Sequence, residues 1–323
     1  MRRHLLRYLL GRATAAVVLV FVVASAALLL AQVAPGDYSG QFGSNPAAIA
    51  AERHRLGLDR PFLDQYATWV RRSLTFDLGE SFQYRRPVTT LVRERAGNTA
   101  SLAIAALVFA TLFGVAAGLV TGSRPNDILS SLVRGLSVVL ISVPPLITSL
   151  ILVMVAARTG WLPIGGMGNL SDAGSFVTRL GVFVEHLIVP ALALGLPLAA
   201  TIERLQSQAL RDALNRPAIV AARARGLPAS RIIGRHAWRL SLGPLLAIYG
   251  VLIGSVFSGS FAVELVASWP GLADLMRQAL LARDTNLVAG CAAAGAAFLA
   301  AGVLAADIAH ALLDPRVDAE YTG

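Results

Sequence analysis

Five histidines, at positions 4, 54, 186, 236 and 310, and a lone cysteine, Cys291, are the side chains of this sequence most suited to holding a metal or attacking a substrate. No two of the histidines stand at a ligand-pair spacing, and a thiolate site would need a second cysteine. The sequence therefore points to no metal centre and no disulfide framework. Cys291 lies inside an apolar run, where a small buried residue is the simplest reading. All 28 basic residues are arginine. A Walker A loop needs a lysine on the nucleotide phosphates, so this chain cannot supply that ATP site. Glu203, Glu264 and Asp307 are the acids nearest the apolar runs. Inside lipid they would mark an ion pathway, but each falls at or near the end of a run and reads as interfacial. No acids, bases and nucleophiles converge on one place. No catalytic, cofactor-binding or metal-ligating residue is assigned, and an enzyme is not expected.

What remains is one conspicuous stretch, RPAIVAARARGLPASRIIGRHAWRLSLGP at 216–244. Its punctuation predicts a helix of about nine residues between two longer ones. Pro217 suits a first helical position, Gly226 a left-handed stop, and Pro228 blocks continuation. Eight arginines lie between Arg204 and Arg239. Burying them at mid-bilayer would cost roughly 20–28 kcal/mol at about 2.5–3.5 each, so the stretch belongs in water.

The elements that must hold this loop are apolar. Hydrophobic residues make up 55% of the 323 and charged ones 15%, the composition of an integral membrane protein. Six runs are long enough to cross a hydrocarbon core of about 30 Å as helices: 13–34, 99–122, 136–157, 187–202, 243–263 and 287–306. The fourth is short and holds Pro190 and Pro197, so it needs neighbours to satisfy the freed backbone groups or an extension upstream past Glu185 and His186. In the third, Ser142, Pro144 and Pro145 either shape a pathway or kink the helix for packing. The first run follows Arg2, Arg3 and Arg7 and contains a small-residue triplet at 24–26. Its length of about twenty residues exceeds a signal-peptide core of roughly 7–15, and it is read as a retained helix.

With the N-terminus inside, the cytoplasmic segments hold 15 arginines and the outer segments 13. Nine of the outer 13 lie in the long stretch 35–98, and the bias rule counts short loops; without that stretch the ratio is 15 to 4. Both termini and the loop at 204–242 are therefore expected in the cytoplasm. The same rule accounts for the net charge of +9, and no nucleic-acid partner is expected. Residues 35–98 are too polar to insert and carry helix signals. Asn45 is a candidate cap, Pro46 a first position and Gly57 a stop, and Pro61 and Pro87 are positioned to open two more short helices. This segment either packs on the bundle or receives a soluble partner. The linker at 158–185 is glycine-rich, and no internal repeat is evident.

The 216–244 stretch resembles the cytoplasmic EAA loop of the permease subunits of binding-protein-dependent ABC importers, in their dipeptide, oligopeptide and nickel branch. Val220, Ala221 and Ala222 followed by Gly226 match the loop, and Arg223 to Leu227 and Arg235-His236-Ala237 resemble this branch's version. Further stretches agree in order: VAPGD at 33–37, RLGLDRPFLDQY at 55–66, DLGESF at 77–82, GWLP at 160–163, HLIVPALALGLPLAA at 186–200, WPGL at 269–272, ARD at 282–284 and LLDPR at 312–316. Departures exist: Val220 replaces a glutamate, Arg216-Pro217 an acidic-aromatic pair, Gly243 a bulky aliphatic before Pro244, and Ala96-Gly97-Asn98 a Leu-Pro pair.

The resemblance implies an all-α integral membrane protein with six transmembrane helices, a helical extracytoplasmic segment after helix 1 and a cytoplasmic coupling loop between helices 4 and 5. It divides the chain into a cytoplasmic tail with the first transmembrane helix (1–34), an extracytoplasmic helical segment (35–98), a permease domain (99–310) and a cytoplasmic tail (311–323). It implies a multi-pass protein of a bacterial or archaeal cell (inner) membrane. Its partners would be a second homologous permease subunit, two cytoplasmic ABC ATPase subunits that bind ATP and Mg, and an extracytoplasmic solute-binding protein. The ATPase-coupling residues would be Pro217, Val220, Ala221, Ala222, Arg223, Arg225, Gly226, Leu227 and His236, with Ala221 and Ala222 allowing close backbone approach. Dipeptides or oligopeptides are the implied cargo, with nickel or another small solute as the alternative. An ion-coupled secondary transporter would instead show inverted repeats and mid-membrane coupling residues, and neither is legible here.

Overall fold

The computed structural model describes residues 2–34, 36, 38–39, 46–168 and 174–313. Among them the only β pairing is an isolated antiparallel bridge between Glu80 and Pro87. The helices are α1 (Arg2–Val33), α2 (Pro46–Leu56), α3 (Phe62–Ser73), α4 (Val88–Ser123), α5 (Ile128–Ser142), α6 (Pro145–Thr159), α7 (Phe176–Leu214), α8 (Pro217–Ala224), α9 (Ala229–Arg231), α10 (Trp238–Ala247), α11 (Tyr249–Val266), α12 (Leu272–Ala282) and α13 (Thr285–Leu313), with a π turn at Ile232–Ala237 between α9 and α10. Five of them, α1, α4, α7, α11 and α13, are long and apolar enough to cross a membrane, and α5 with α6 makes a sixth candidate bent by 107°.

Two of the six expected spans are thereby corrected, and the fourth extends upstream past Glu185 and His186, one of the two resolutions its shortness called for. The run 136–157 is not one helix, because Val143 and Pro144 are both extended (φ −93°, ψ 118° and φ −59°, ψ 148°). Each proline pushes the residue before it out of the α region, and Pro145 then opens α6 as its first residue. The run 187–202 is the middle of a 39-residue helix. Polar residues at either end truncated the apolar count, whereas α7 at about 1.5 Å per residue is far longer than a hydrocarbon core. Pro190 and Pro197 sit inside it without breaking it, and the Thr201 hydroxyl donates to the Pro197 carbonyl at 2.9 Å. The run 243–263 is interrupted at Ile248 (φ −90°, ψ −8°), which divides α10 from α11. Pro87 opens the 36-residue α4 and not a short helix. Pro61 precedes α3 as its cap, and Pro46 opens α2 as expected. Asn45 lies outside the described residues.

Two compact units share the chain, one built on 101–269 and the other on 6–100 with 270–300. In the first, α4 lies against α7 along a stripe of small residues four apart. Ala106 and Ala110 are fully buried, and Gly114, Gly118 and Gly122 continue the row. A Cβ on Gly114 would stand 2.5 Å from the Ala199 carbonyl oxygen, one on Gly118 2.6 Å from Gln206 Cβ, and one on Gly122 2.8 Å from the Ser207 carbonyl oxygen. Glycine lets the two backbones touch, the packing mode that apolar surroundings favour. Across the same seam the Thr121 hydroxyl donates to Glu203 Oε1, and Arg211 Nη2 donates to the Thr121 carbonyl at 3.2 Å. Glu203 and Glu264 are buried in protein (1% and 0% exposed); the interfacial reading of both acids is corrected. Trp269 of the WPGL stretch is fully buried, 5.8 Å from the Phe183 ring, in a core that includes Leu102, Leu194 and Val263.

The second unit explains several of the collinear stretches. Asp284 of ARD is fully buried. Its Oδ2 accepts from the Ser81 hydroxyl at 2.6 Å and the Gln83 N–H at 3.1 Å, and its Oδ1 accepts from the Leu287 N–H at 3.1 Å. One carboxylate thus caps α13 and clamps the turn that follows DLGESF. Burial raises its pKa above the ordinary value, and these hydrogen bonds pull it back. Gly36 of VAPGD lies beneath the Arg283 guanidinium, where any Cβ would overlap it. Gly57 ends α2 at φ +69°, with the Leu58 N–H reaching the Arg53 carbonyl at 2.9 Å, as expected of its stop signal. α3 packs along α1: Tyr66 donates to Ser25 Oγ at 3.1 Å, Gln32 Nε2 to Gln65 Oε1 at 2.9 Å, and Trp69 buries against Ala24 and Leu28.

Candidate functional site

α7 delivers the chain to the loop. Its last inward residues, Leu210 and Ala213, pack with Ala237 of the π turn. Asn215 closes the helix, Arg216 turns extended (φ −67°, ψ 141°), and Pro217 opens α8. A proline costs nothing there, because the first N–H of a helix has no partner. After eight residues α8 ends in a Schellman motif. The Leu227 N–H bonds the Ala222 carbonyl at 3.3 Å and the Gly226 N–H bonds that of Arg223 at 2.9 Å, with Gly226 at φ +81°. No atom lies within 4 Å of a Cβ placed on Gly226. Glycine supplies backbone freedom here, not room. Pro228 then caps α9 in an extended conformation.

Two residues turn α8 inward, Ile219 at 3% and Ala222 at 7% exposure. Pro217, Val220, Ala221, Arg223, Arg225 and Gly226 are exposed, Leu227 is half-buried, and Val220 presents half of its surface. Among the described residues no carboxylate lies within 4 Å of Arg223 or Arg225. The structure thus gathers six of the nine sequence-derived residues on one outward helix and its stop. Ala222 packs within its own chain and is not available for a close approach; Ala221 is. His236 is exposed on the π turn, a separate element.

That π turn has a packing reason. Ile232 and Ala237 are five residues apart and both buried (2% and 0%). Five steps of an α-helix would place them on different faces, whereas the wider turn of a π-helix brings them closer to one. From Ala237 the buried positions continue every fourth residue, Ser241 and Leu245. Gln206 Nε2 of α7 donates to Ser241 Oγ at 2.7 Å, and Ser241 donates to the Trp238 carbonyl at 2.8 Å. The two ends of the loop are therefore tied together, α7 to α10 through Gln206 and Ser241 and α7 to the π turn through Leu210, Ala213 and Ala237. Sequence reading missed this pin, since an isolated Gln and Ser carry no pattern. It also missed Gly114, Gly118 and Gly122, whose four-residue spacing is legible as a helix-contact motif. Gly243, which departs from the bulky residue of the branch, meets open space. The LLDPR stretch at 312–316 lies outside the described side chains.

Comparison with known proteins bears on this arrangement. The family described as "Binding-protein-dependent transport system inner membrane component" matches residues 110–319, and its N-terminal companion, "Binding-prot-dependent transport system membrane comp, N-term", matches 5–103. The "Oligopeptide transport system permease protein OppB" of Mycobacterium tuberculosis is 33% identical over 278 residues, 84% of this chain and 85% of that protein. The "Oligopeptide transport system permease protein AppB" of Bacillus subtilis is 28% identical over 96% of this chain and 99% of its own length. The "Dipeptide transport system permease protein DppB" of Lactococcus lactis is 29% identical over 97% and 99%. The first family model covers well over half of the sequence, and the chain belongs to the family of inner-membrane components of binding-protein-dependent transport systems.

Proposed function

We propose that the chain is one of two permease subunits of an ATP-driven importer of dipeptides or oligopeptides. The observation that carries this is α8, an eight-residue helix with its outward face exposed, hung from the 39-residue α7, whose Gln206 bonds Ser241 of α10 on the far side of the loop. In this reading α8 docks in a groove of a cytoplasmic ABC ATPase through Pro217, Val220, Ala221, Arg223, Arg225 and Gly226, with Leu227 and His236 flanking and Ala222 supporting from behind. Two such ATPases bind ATP and Mg, and their closure moves α8 and switches the pathway between outward and inward access. This chain hydrolyses nothing itself. A second homologous permease completes the pathway, and an extracytoplasmic binding protein delivers the cargo. The printed names of the relatives above favour peptides over nickel.

The same reading places 1–34 as a cytoplasmic tail with the first membrane helix, 35–98 outside the cell membrane, 99–310 as the permease domain and 311–323 in the cytoplasm. In a Cys291→Ser background, an impermeant maleimide applied to intact cells labels Asp59→Cys and spares Ser230→Cys. The reverse pattern rejects this topology.

Transport is tested on the complete assembly. Reconstituted with a partner permease, both ATPases and the binding protein, the chain supports ATP-dependent uptake of a labelled tripeptide. Uptake of sugars or metal chelates alone would end the peptide assignment and leave the permease assignment standing. Peptide uptake undiminished when this chain is omitted would end both.

A further inference from the structure

A cavity of about 360 Å³ lies in the second unit, formed by α1, the end of α2, α3, the 79–85 turn and the start of α13. Its polar lining is lopsided. His54, Arg55, Arg60, Arg72 and Arg85 face one carboxylate, Glu80. Arg55 is committed elsewhere, its Nε and Nη2 donating to the Glu52 oxygens at 2.9 and 2.6 Å. That bond holds the Glu52 carboxyl below its ordinary pKa. Among the described residues no carboxylate lies within 4 Å of Arg60, Arg72 or Arg85. With Glu80 on the wall and Glu52 acting on Arg85 from farther off, three guanidiniums around one hollow still leave an excess of positive charge that favours an anion. Arg85 also holds φ +51°, a left-handed conformation uncommon outside glycine, fixed as its N–H bonds the Ser81 carbonyl at 2.9 Å. Such strain collects where a side chain must be aimed.

Beyond the charges the wall carries Gln32, Gln65, Ser81, Thr285 and Asn286, and its apolar part is gathered on one side. Phe62, Tyr66 and Trp69 stack in a ladder with ring centres 6.1 and 6.2 Å apart, and all three line the cavity beside Leu28. Large apolar side chains flanking these residues in the chain are bare: Leu30 73% and Val33 82% on α1, Leu63 74% on α3, and Leu74 75% and Phe76 88% just after it. α1 is apolar through Val33, so the site stands at the end of a membrane-crossing helix, where aromatic belts and headgroups meet.

We propose that this cavity seats the phosphate of an anionic lipid headgroup, with Arg60, Arg72 and Arg85 on the phosphate and the exposed Phe62 end of the ladder, with Leu30, Val33 and Leu63, along the upper acyl chains. Arginine forks match phosphate oxygens. A free phosphate would satisfy the cations and leave Phe62, at the exposed end of the ladder, and the bare apolar residues without a partner. An acidic protein surface would do the same. Which leaflet supplies the lipid rests on the topology proposed above; the binding does not.

The test uses the full-length chain, purified in neutral detergent and followed by native mass spectrometry and titration. Phosphatidylglycerol binds at least about tenfold more tightly than phosphatidylcholine, and millimolar inorganic phosphate fails to displace it. The triple variant Arg60→Gln, Arg72→Gln, Arg85→Gln binds phosphatidylglycerol about 100-fold more weakly, at roughly one cation's worth of attraction per residue. The corresponding triple lysine variant stays within about tenfold of the parent because its charge is kept. Arg71→Gln, next door on α3 but outside the cavity, binds as the parent does. Three results would overturn the proposal. One is phosphatidylglycerol affinity unchanged in the triple glutamine variant. Another is inorganic phosphate binding as tightly as the lipid. The third is a triple variant that loses the binding protein while keeping the lipid, which assigns the cavity to a protein partner.

Discussion

Replacing Gly118 with leucine is expected to leave no monodisperse protein, and replacing it with alanine to lower the melting temperature, whereas alanine at Gly97 of the same helix should raise it. Helix propensity alone favours alanine over glycine by about 1 kcal/mol at both positions. At Gly97 nothing lies within 4 Å of the new methyl, so the gain is kept. At Gly118 the methyl would stand 2.6 Å from Gln206 Cβ and 2.8 Å from the Glu203 carbonyl oxygen. The second is backbone of α7 and cannot swing aside, so α4 and α7 must separate. Overpacking of this kind costs about 1–3 kcal/mol, which outweighs the propensity gain. Separation also stretches the Thr121 to Glu203 and Arg211 to Thr121 bonds across the seam. The net loss of about 1 kcal/mol predicts a fall of about 2 °C for Gly118→Ala in a chain of this length, read by fluorescence-detected thermal unfolding in detergent. Leucine carries three further carbons into the same gap, and size-exclusion chromatography reports aggregation in place of a single peak. Equal melting of the two alanine variants would show that the backbones do not touch at Gly118.

How far the fold was legible follows from the physics of each element. The apolar runs located every long helix, because hydropathy reports the solvent a segment faces. It does not report where a helix stops. α7 extends from Phe176 to Leu214: Glu185 and His186 interrupt the apolar count upstream, and the polar C-terminal end from Glu203 is rich in good helix formers that merely leave the lipid. The break at Val143 and Pro144 was legible as two prolines, but whether they bend or sever the helix depends on what the two halves pack against. Glu203 shows the opposite limit. Its neighbours in sequence suggest an interface, and only the Thr121 hydroxyl and the burying wall of α4, 82 residues away, make it a core residue. The loop was the most legible part of all. Pro217, Gly226 and Pro228 act through their own backbones, so local sequence decides them. Which side of α8 faces outward was not local, since the packing of Ile219 and Ala222 on the chain itself decides it.

That last point selects the variants that separate docking from folding. Glutamate at Ala222 would force a carboxylate into a site 7% exposed, and a loss of transport would then report only a disturbed loop. Glutamate at Ala221, on the exposed face, leaves the chain's own packing alone and places a charge where an ATPase groove would close. An unpaired charge buried at an interface costs about 2–5 kcal/mol, so co-purification of the ATPase subunits with Ala221→Glu falls on the order of 30-fold or more. Gly226→Val acts differently. No neighbour obstructs the side chain, but φ +81° is strained for a β-branched residue. The Schellman bonds from Leu227 and Gly226 then loosen, and the end of α8 loses its fixed angle. This variant retains more ATPase than Ala221→Glu does, while peptide-stimulated hydrolysis in the reconstituted complex drops, because α8 no longer holds a fixed angle to the helices that flank it. Ser230→Glu, beyond the stop, keeps both assembly and stimulation near the parental level. Normal assembly and stimulation in both Ala221→Glu and Gly226→Val would reduce α8 to an arginine-rich connector between two membrane helices and remove the mechanical link on which the importer reading depends.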